Sequence, residues 1–127
     1  MSDLELSVGE GRLQVELRSH TMGKDRIVFI YNGKEHLGAV AVAEYSHSDQ
    51  RASASVISRY GHRDDQIARS AALAIARKTK RAVCVIVGVH LDQATRQEID
   101  QLVKNSEKLV RQFPADGQVS SITLPVD

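Results

Sequence analysis

With 127 residues and 42% hydrophobic content, the chain is long enough to bury a real core and too short for two comfortable ones, which predicts one domain spanning 1–127. Lysine plus arginine (17) nearly balances aspartate plus glutamate (16), and there is no Trp, so neither a nucleic-acid partner nor an anionic membrane surface is expected. The single cysteine, Cys84, excludes a disulfide within the chain, and no apolar run approaches the roughly 20 residues that span a bilayer, which makes the cytoplasm the expected compartment.

Leu4, Leu6 and Val8 alternate with polar residues, and after Gly9-Glu10-Gly11 so do Leu13, Val15 and Leu17. Period-two alternation predicts half-buried strands, here an antiparallel hairpin with a tight turn and one wet face. Residues 19–24, which include His20 and Gly23, read as a turn, and residues 27–31 as a third strand that is nearly all apolar. Asn32-Gly33 predicts a type I′ hairpin, because both residues tolerate positive φ. A fourth strand, 37–45, follows at once, with Ala39, Ala41 and Ala43 on one face where a helix or a planar ligand can lie close. Residues 46–51 read as a loop and 52–60 as a fifth strand.

Gly61-His62-Arg63-Asp64-Asp65 opens a helix through about residue 79, acidic in its first turn and basic near its end at Arg77, Lys78 and Lys80, as the macrodipole favours. Ile67, Ala71, Ala74 and Ile75 form its apolar stripe. The run 82–89 is rich in β-branched residues and has no polar face, which predicts a central strand buried on both sides. It passes directly into His90 and Asp92, and then into Thr95 with Glu98 three positions later, the capping-box spacing. The second helix, 95–112, carries Ile99, Leu102, Val103, Ser106, Leu109, Val110 and Phe113 at helical spacing, and Pro114 and Asp116-Gly117 stop it. Residues 119–126 form an edge strand or a tail that docks on a neighbouring chain.

This order predicts an α+β two-layer sandwich: a mixed, mainly antiparallel sheet of about six strands, with two helices packed on one face. The strand-helix-strand unit 52–89 predicts parallel strands, at most one strand apart, that end at the same edge. His62, Asp64 or Asp65, His90, Asp92 and two helix N-termini then meet there, a setting for an anion, a phosphate or a divalent ion. Taken singly, each residue also has a purely structural reading as a cap or a first-turn acid. Arg63 pairs a phosphate bidentately or stands solvated. His20 and His47 read as surface loop residues, while His36 reaches a ligand only if the fourth strand begins near the same edge. Neither the dinucleotide nor the Walker fingerprint occurs, and there is no cysteine pair for zinc and no nucleophile-elbow serine.

Leu37-Gly-Ala-Val-Ala-Val-Ala43, Gly61-His-Arg-Asp-Asp-Gln-Ile-Ala68 and Gly88-Val-His-Leu-Asp-Gln-Ala-Thr95, with the Asn105 helix behind them, occur in an order that resembles the small prenylated-flavin chaperone family. That family includes the small subunit associated with gallate decarboxylase. The resemblance runs from 37 to 113. It implies a non-catalytic accessory protein that binds prenylated FMN, or FMN itself, and delivers it to, or stabilises it for, a prenylated-flavin-dependent aromatic acid decarboxylase. It also implies that a flavin prenyltransferase supplies the cofactor. The matched positions Gly38, His62, Arg63, Asp64, His90, Asp92 and Thr95 are the implied cofactor-binding residues. In physical terms the phosphate would use a helix N-terminus and Arg63, the ring would lie over the alanine face of the fourth strand, and the histidines would bond its polar edge. Exposed sheet edges in so small a domain predict a homo-oligomer, a dimer or higher. Two other readings stand beside this one: a structural subunit of the decarboxylase complex that binds no cofactor, and a small metal- or phosphate-dependent enzyme using the His62/His90 edge.

Overall fold

Alternating apolar residues build the sheet, and the two amphipathic helices cover one of its faces. A computed structural model describes residues 4–33, 36–59, 64–116 and 122–123. The elements are β1 (Leu4–Val8), β2 (Val15–Met22), β3 (Asp25–Tyr31), β4 (Ala39–Ser46), β5 (Arg51–Ser58), α1 (Asp65–Thr79), β6 (Val83–Gly88), α2 (Arg96–Arg111) and β7 (Ile122–Thr123). They form a mixed open sheet in the order β5-β4-β6-β3-β2-β1-β7, the expected α+β architecture. Among the described residues, β3 with β6 and β1 with β7 pair in parallel, and the other ladders are antiparallel. Of the stretch 119–126, expected as an edge strand or a docking tail, residues 122–123 form the short β7, a parallel edge strand beside β1, and the others lie outside the described residues.

The inward face carries the core. Leu4, Leu6, Val8, Val15, Leu17, Val28, Ile30, Val83, Val85 and Val87 are all 2% exposed or less, and they meet Ala68, Ala72, Ile75, Leu109 and Phe113. Helix α1 lies over β4, β5 and β6, and α2 over β1 and β2. The last turn of α1 holds the end of α2: Lys78 Nζ donates to the carbonyls of Arg111 and Phe113, each at 2.8 Å. Carbonyls at a helix C-terminus have no partner within the helix, and a cation there also suits the macrodipole.

Several local expectations are corrected by this topology. Strand β2 continues to Met22, with the turn reduced to Gly23-Lys24, so His20 is a strand residue on the sheet face away from the helices. Asn32-Gly33 is not a type I′ hairpin. Neither residue has positive φ, and β6 lies between β3 and β4. The connection from β1 to β2 is no tight turn either, since a short 3-10 segment at Gly11–Leu13 intervenes. In α2, Ile99 and Val103 remain 47% and 37% exposed, and Asn105 takes a buried place beside Ser106, which is buried as its spacing predicts.

Strand β6 is central, as its composition predicts, but among the described residues only one of its faces is covered. Val83, Val85 and Val87 are buried under α1, whereas Cys84 and Ile86 are half-buried on the outer face. Burial raises the pKa of the Cys84 thiol above its usual value, which favours its protonated form.

Candidate functional site

Directions within the sheet bring several loops to one edge. Strands β5 and β6 are each antiparallel to β4, so they run the same way with one strand between them, as the strand-helix-strand unit predicts. Strand β3 is parallel to β6, and β1 is antiparallel to β2, which is antiparallel to β3. The ends of β1, β3, β5 and β6 therefore share an edge with the start of β4 and with the N-termini of both helices.

The loop after β6 is fixed from two sides. Asn32, only 3% exposed, donates from Nδ2 to the His90 carbonyl at 2.6 Å and accepts from the His90 N-H at 3.2 Å. Arg12 donates to the Asp92 carbonyl at 2.7 Å and pairs with Glu98 at 3.2 Å. Held this way, His90 places Nε2 2.7 Å from Asp92 Oδ1, and both side chains remain about half exposed or more, at 48% and 65%. The His36 ring stands 5.4 Å from the His90 ring, nearly perpendicular to it. The fourth strand does begin at this edge, so the condition for including His36 is met. A cavity of about 240 Å3, lined by Arg12, Asn32, Gly33, His90 and Asp92 among others, opens beside the loop.

The remaining sequence-predicted residues have structural work. Asp64 is 8% exposed at the start of α1, and its Oδ2 accepts from the Val89 N-H at 3.3 Å. Gly38 packs directly on that carboxylate: a Cβ there would lie 2.8 Å from Asp64 Cγ. Thr95 closes a capping box, accepting from the Glu98 N-H at 3.1 Å while its own N-H donates to the Glu98 carboxylate at 3.0 Å. Each helix N-terminus thus already carries a carboxylate of the chain, which leaves less of its positive end for a ligand anion. His62 and Arg63 lie outside the described residues. The alanine face of β4 is closed to a ligand, because Ala39, Ala41 and Ala43 are at most 1% exposed under α1. Among the described residues, no three His, Cys, Asp or Glu side chains are grouped to hold a metal ion.

The capping box makes a prediction. Thr95→Ala should cost about 1 kcal/mol, the usual value of a lost N-cap. The backbone hydrogen bond at Thr95, foremost, and the Arg12 charge hold the Glu98 pKa below the ordinary value of 4.5. A depressed native pKa contributes stability above the unfolded value and loses it as pH falls through the native one. Urea midpoints measured from pH 7 down to pH 3 should therefore fall less steeply in Glu98→Gln than in the unsubstituted chain.

Residues missed at the sequence level are Arg12 and Asn32, whereas His36 was admitted on a condition that the position of β4 meets. Asn32 was read as turn chemistry, and its burial against a loop 58 residues away leaves no local trace.

Residues 9–117 match the family model described as "Prenylated flavin chaperone LpdD-like domain". The chain belongs to that family. The match takes in most of the sheet, both helices and the whole His90 edge, and so includes part of the amino-terminal hairpin that resembled the family less clearly. No curated protein matches the chain. Among solved structures, a chain of "Crystal Structure of a Novel Chaperone Complex for Yeast 20S Proteasome Assembly" shares the fold, with a TM-score of 0.55 and 14% identity over 84% of this chain and 86% of that chain. At that identity the likeness concerns the fold alone. Among the described residues, no helix is long and apolar enough to cross a membrane.

Proposed function

We propose that this member of the family holds prenylated FMN reversibly and passes it to a prenylated-flavin-dependent aromatic acid decarboxylase, catalysing no reaction itself. The family assignment supplies the ligand class. The single observation that carries the reading is the half-covered central strand: β6 has the composition of a strand buried on both sides, yet the described residues leave its outer face open next to the His90 edge. A holder of a labile flavin needs such an apolar surface beside polar groups that fix the ligand's orientation.

In this reading His90 and Asp92 are the polar groups at the edge. Asp64 and Thr95 act through the backbone they position, and Gly38 acts by leaving room for the Asp64 carboxylate. A flavin prenyltransferase is the source of the cofactor, in the cytoplasm. Strand β5, at the end of the sheet and carrying Ile57 at 75% exposure, favours pairing between copies as a homo-oligomer.

Co-expression with a flavin prenyltransferase, followed by absorption and mass analysis of the purified chain, tests the proposal. Retention of prenylated FMN in preference to FMN is expected. If neither flavin is carried, the reading fails, and co-purification with a decarboxylase in a colourless state would replace it with the structural-subunit reading.

A further inference from the structure

Scarce residue types gather at one end of the open sheet face. The chain has five aromatic residues and five histidines. Phe29, Tyr31, His20 and His36 line one cavity of about 430 Å3, together with Arg18 and Leu37. That volume lies within the usual range for small-molecule sites, roughly 300–1,000 Å3. His20 meets the Phe29 ring edge-on at 6.0 Å, Arg18 stands 5.7 Å above Tyr31, and His36 touches His90 at the polar edge.

The register explains the cavity's shape. Arg18 pairs with Phe29, Phe29 with Ile86, Ile86 with Val40 and Val40 with Ile57, so these five side chains form one row across the outer face. In the next row toward the edge, Tyr31 pairs with Gly88, and the absent side chain makes a step in the floor. The chain at His36 crosses that step: a Cβ on Gly88 would lie 2.7 Å from the His36 carbonyl carbon. The crossing is held by Gly38 N-H to the Val87 carbonyl at 2.9 Å and by Arg59 Nη1 to the Leu37 carbonyl at 2.8 Å. His36 and Leu37 thus form a fixed wall.

Two larger or comparable cavities lack this character. One of about 450 Å3 is lined by long charged side chains of α2 and by the Gly9 loop, and one of about 350 Å3 lies between α1 and α2; neither contains an aromatic ring.

We infer that the open-face cavity is the seat of the flavin ring system, placed against Phe29 and the His36-Leu37 wall, with Arg18 at its rim pairing the flavin phosphate. The inference rests on the proposed prenylated-flavin reading and moves the ring from the closed alanine face to the opposite side of the sheet. The apolar row from Phe29 to Ile57 gives the prenyl-derived part of the ring an apolar surface to cover. Arg18 now meets Glu5 at 3.7 Å, an exposed pair that a phosphate can displace.

Binding of prenylated FMN, and of its dephosphorylated form, to the full chain and to Phe29→Leu, His36→Ala, Arg18→Ala and His90→Ala tests the placement. Phe29→Leu keeps most of the apolar volume, so the chain stays folded while the ring contact is lost. The expected result is about tenfold weaker binding of both ligands by Phe29→Leu and His36→Ala. Arg18→Ala should weaken the phosphorylated ligand several-fold and leave the dephosphorylated one unchanged. If Phe29→Leu, His36→Ala and Arg18→Ala all bind as the unsubstituted chain does, while His90→Ala does not, the cavity assignment is overturned and the flavin reading stands. If the unsubstituted chain binds neither ligand, both are overturned.

Discussion

Gly88→Ala is expected to destabilise the fold by about 3 kcal/mol, at the upper end of what overpacking costs. The added methyl would sit against the His36 carbonyl, 2.7 Å from its carbon and 3.1 Å from the His36 nitrogen. These are backbone atoms, so no side-chain rotation relieves the contact. The crossing segment cannot drift away either without giving up the Gly38 hydrogen bond to Val87 and the Arg59 hydrogen bond to Leu37. A urea titration should show a lower midpoint with an unchanged slope, the mark of a stability change without a change in compactness. A loss below about 0.5 kcal/mol, within the range of an ordinary surface substitution, would mean that the His36 crossing is not held against Gly88.

Phe113→Ala should cost more, about 3–5 kcal/mol, the range for removing a fully buried phenylalanine. Phe113 is 1% exposed, and it follows α2 directly, where its N-H bonds the Val110 carbonyl at 3.1 Å and its own carbonyl accepts from Lys78. The ring therefore locks the end of α2 to the core at the place where α1 also grips it. Phe113→Leu should lose less than half as much, because most of the cavity is refilled. Equal losses in the two variants would show that the backbone grip by Lys78, and not the ring, secures the helix end.

The helices were legible in the sequence because their signals are local. Thr95 and Glu98 sit at capping-box spacing and form that box, and the apolar stripe of α2 ends where Pro114 follows. The pairing of β1 with β2 followed from period-two alternation in the same way. The strand order did not. Asn32-Gly33 has the composition of a hairpin turn, but inserting β6 between β3 and β4 supplies parallel and antiparallel ladders to both sides of the most apolar strand, and Asn32 is used instead to clamp the His90 loop.

The candidate site was legible in part for the same reason. The convergence of the strand ends followed from the crossover unit, and His36 joins His90 once β4 starts at that edge. The alanines of β4 favour close packing of a helix and also admit a planar ligand, and the position of α1 decides for the helix. His20 was hidden because Gly23 suggested a longer turn than the chain makes. The open face is a mismatch between sequence and packing: an all-apolar strand with half of its surface left uncovered by the described residues. A chain with so few aromatic residues places two of them there.

The most direct measurement is a fluorescence titration of the unsubstituted chain with prenylated FMN and with FMN under the same conditions. Tighter binding of the prenylated form, by tenfold or more and with one site per chain, is the result expected of a carrier that gives the prenyl-derived group an apolar seat. Equal affinity for the two flavins, or saturation by neither, would contradict the claim that this sheet face exists to hold the prenylated cofactor.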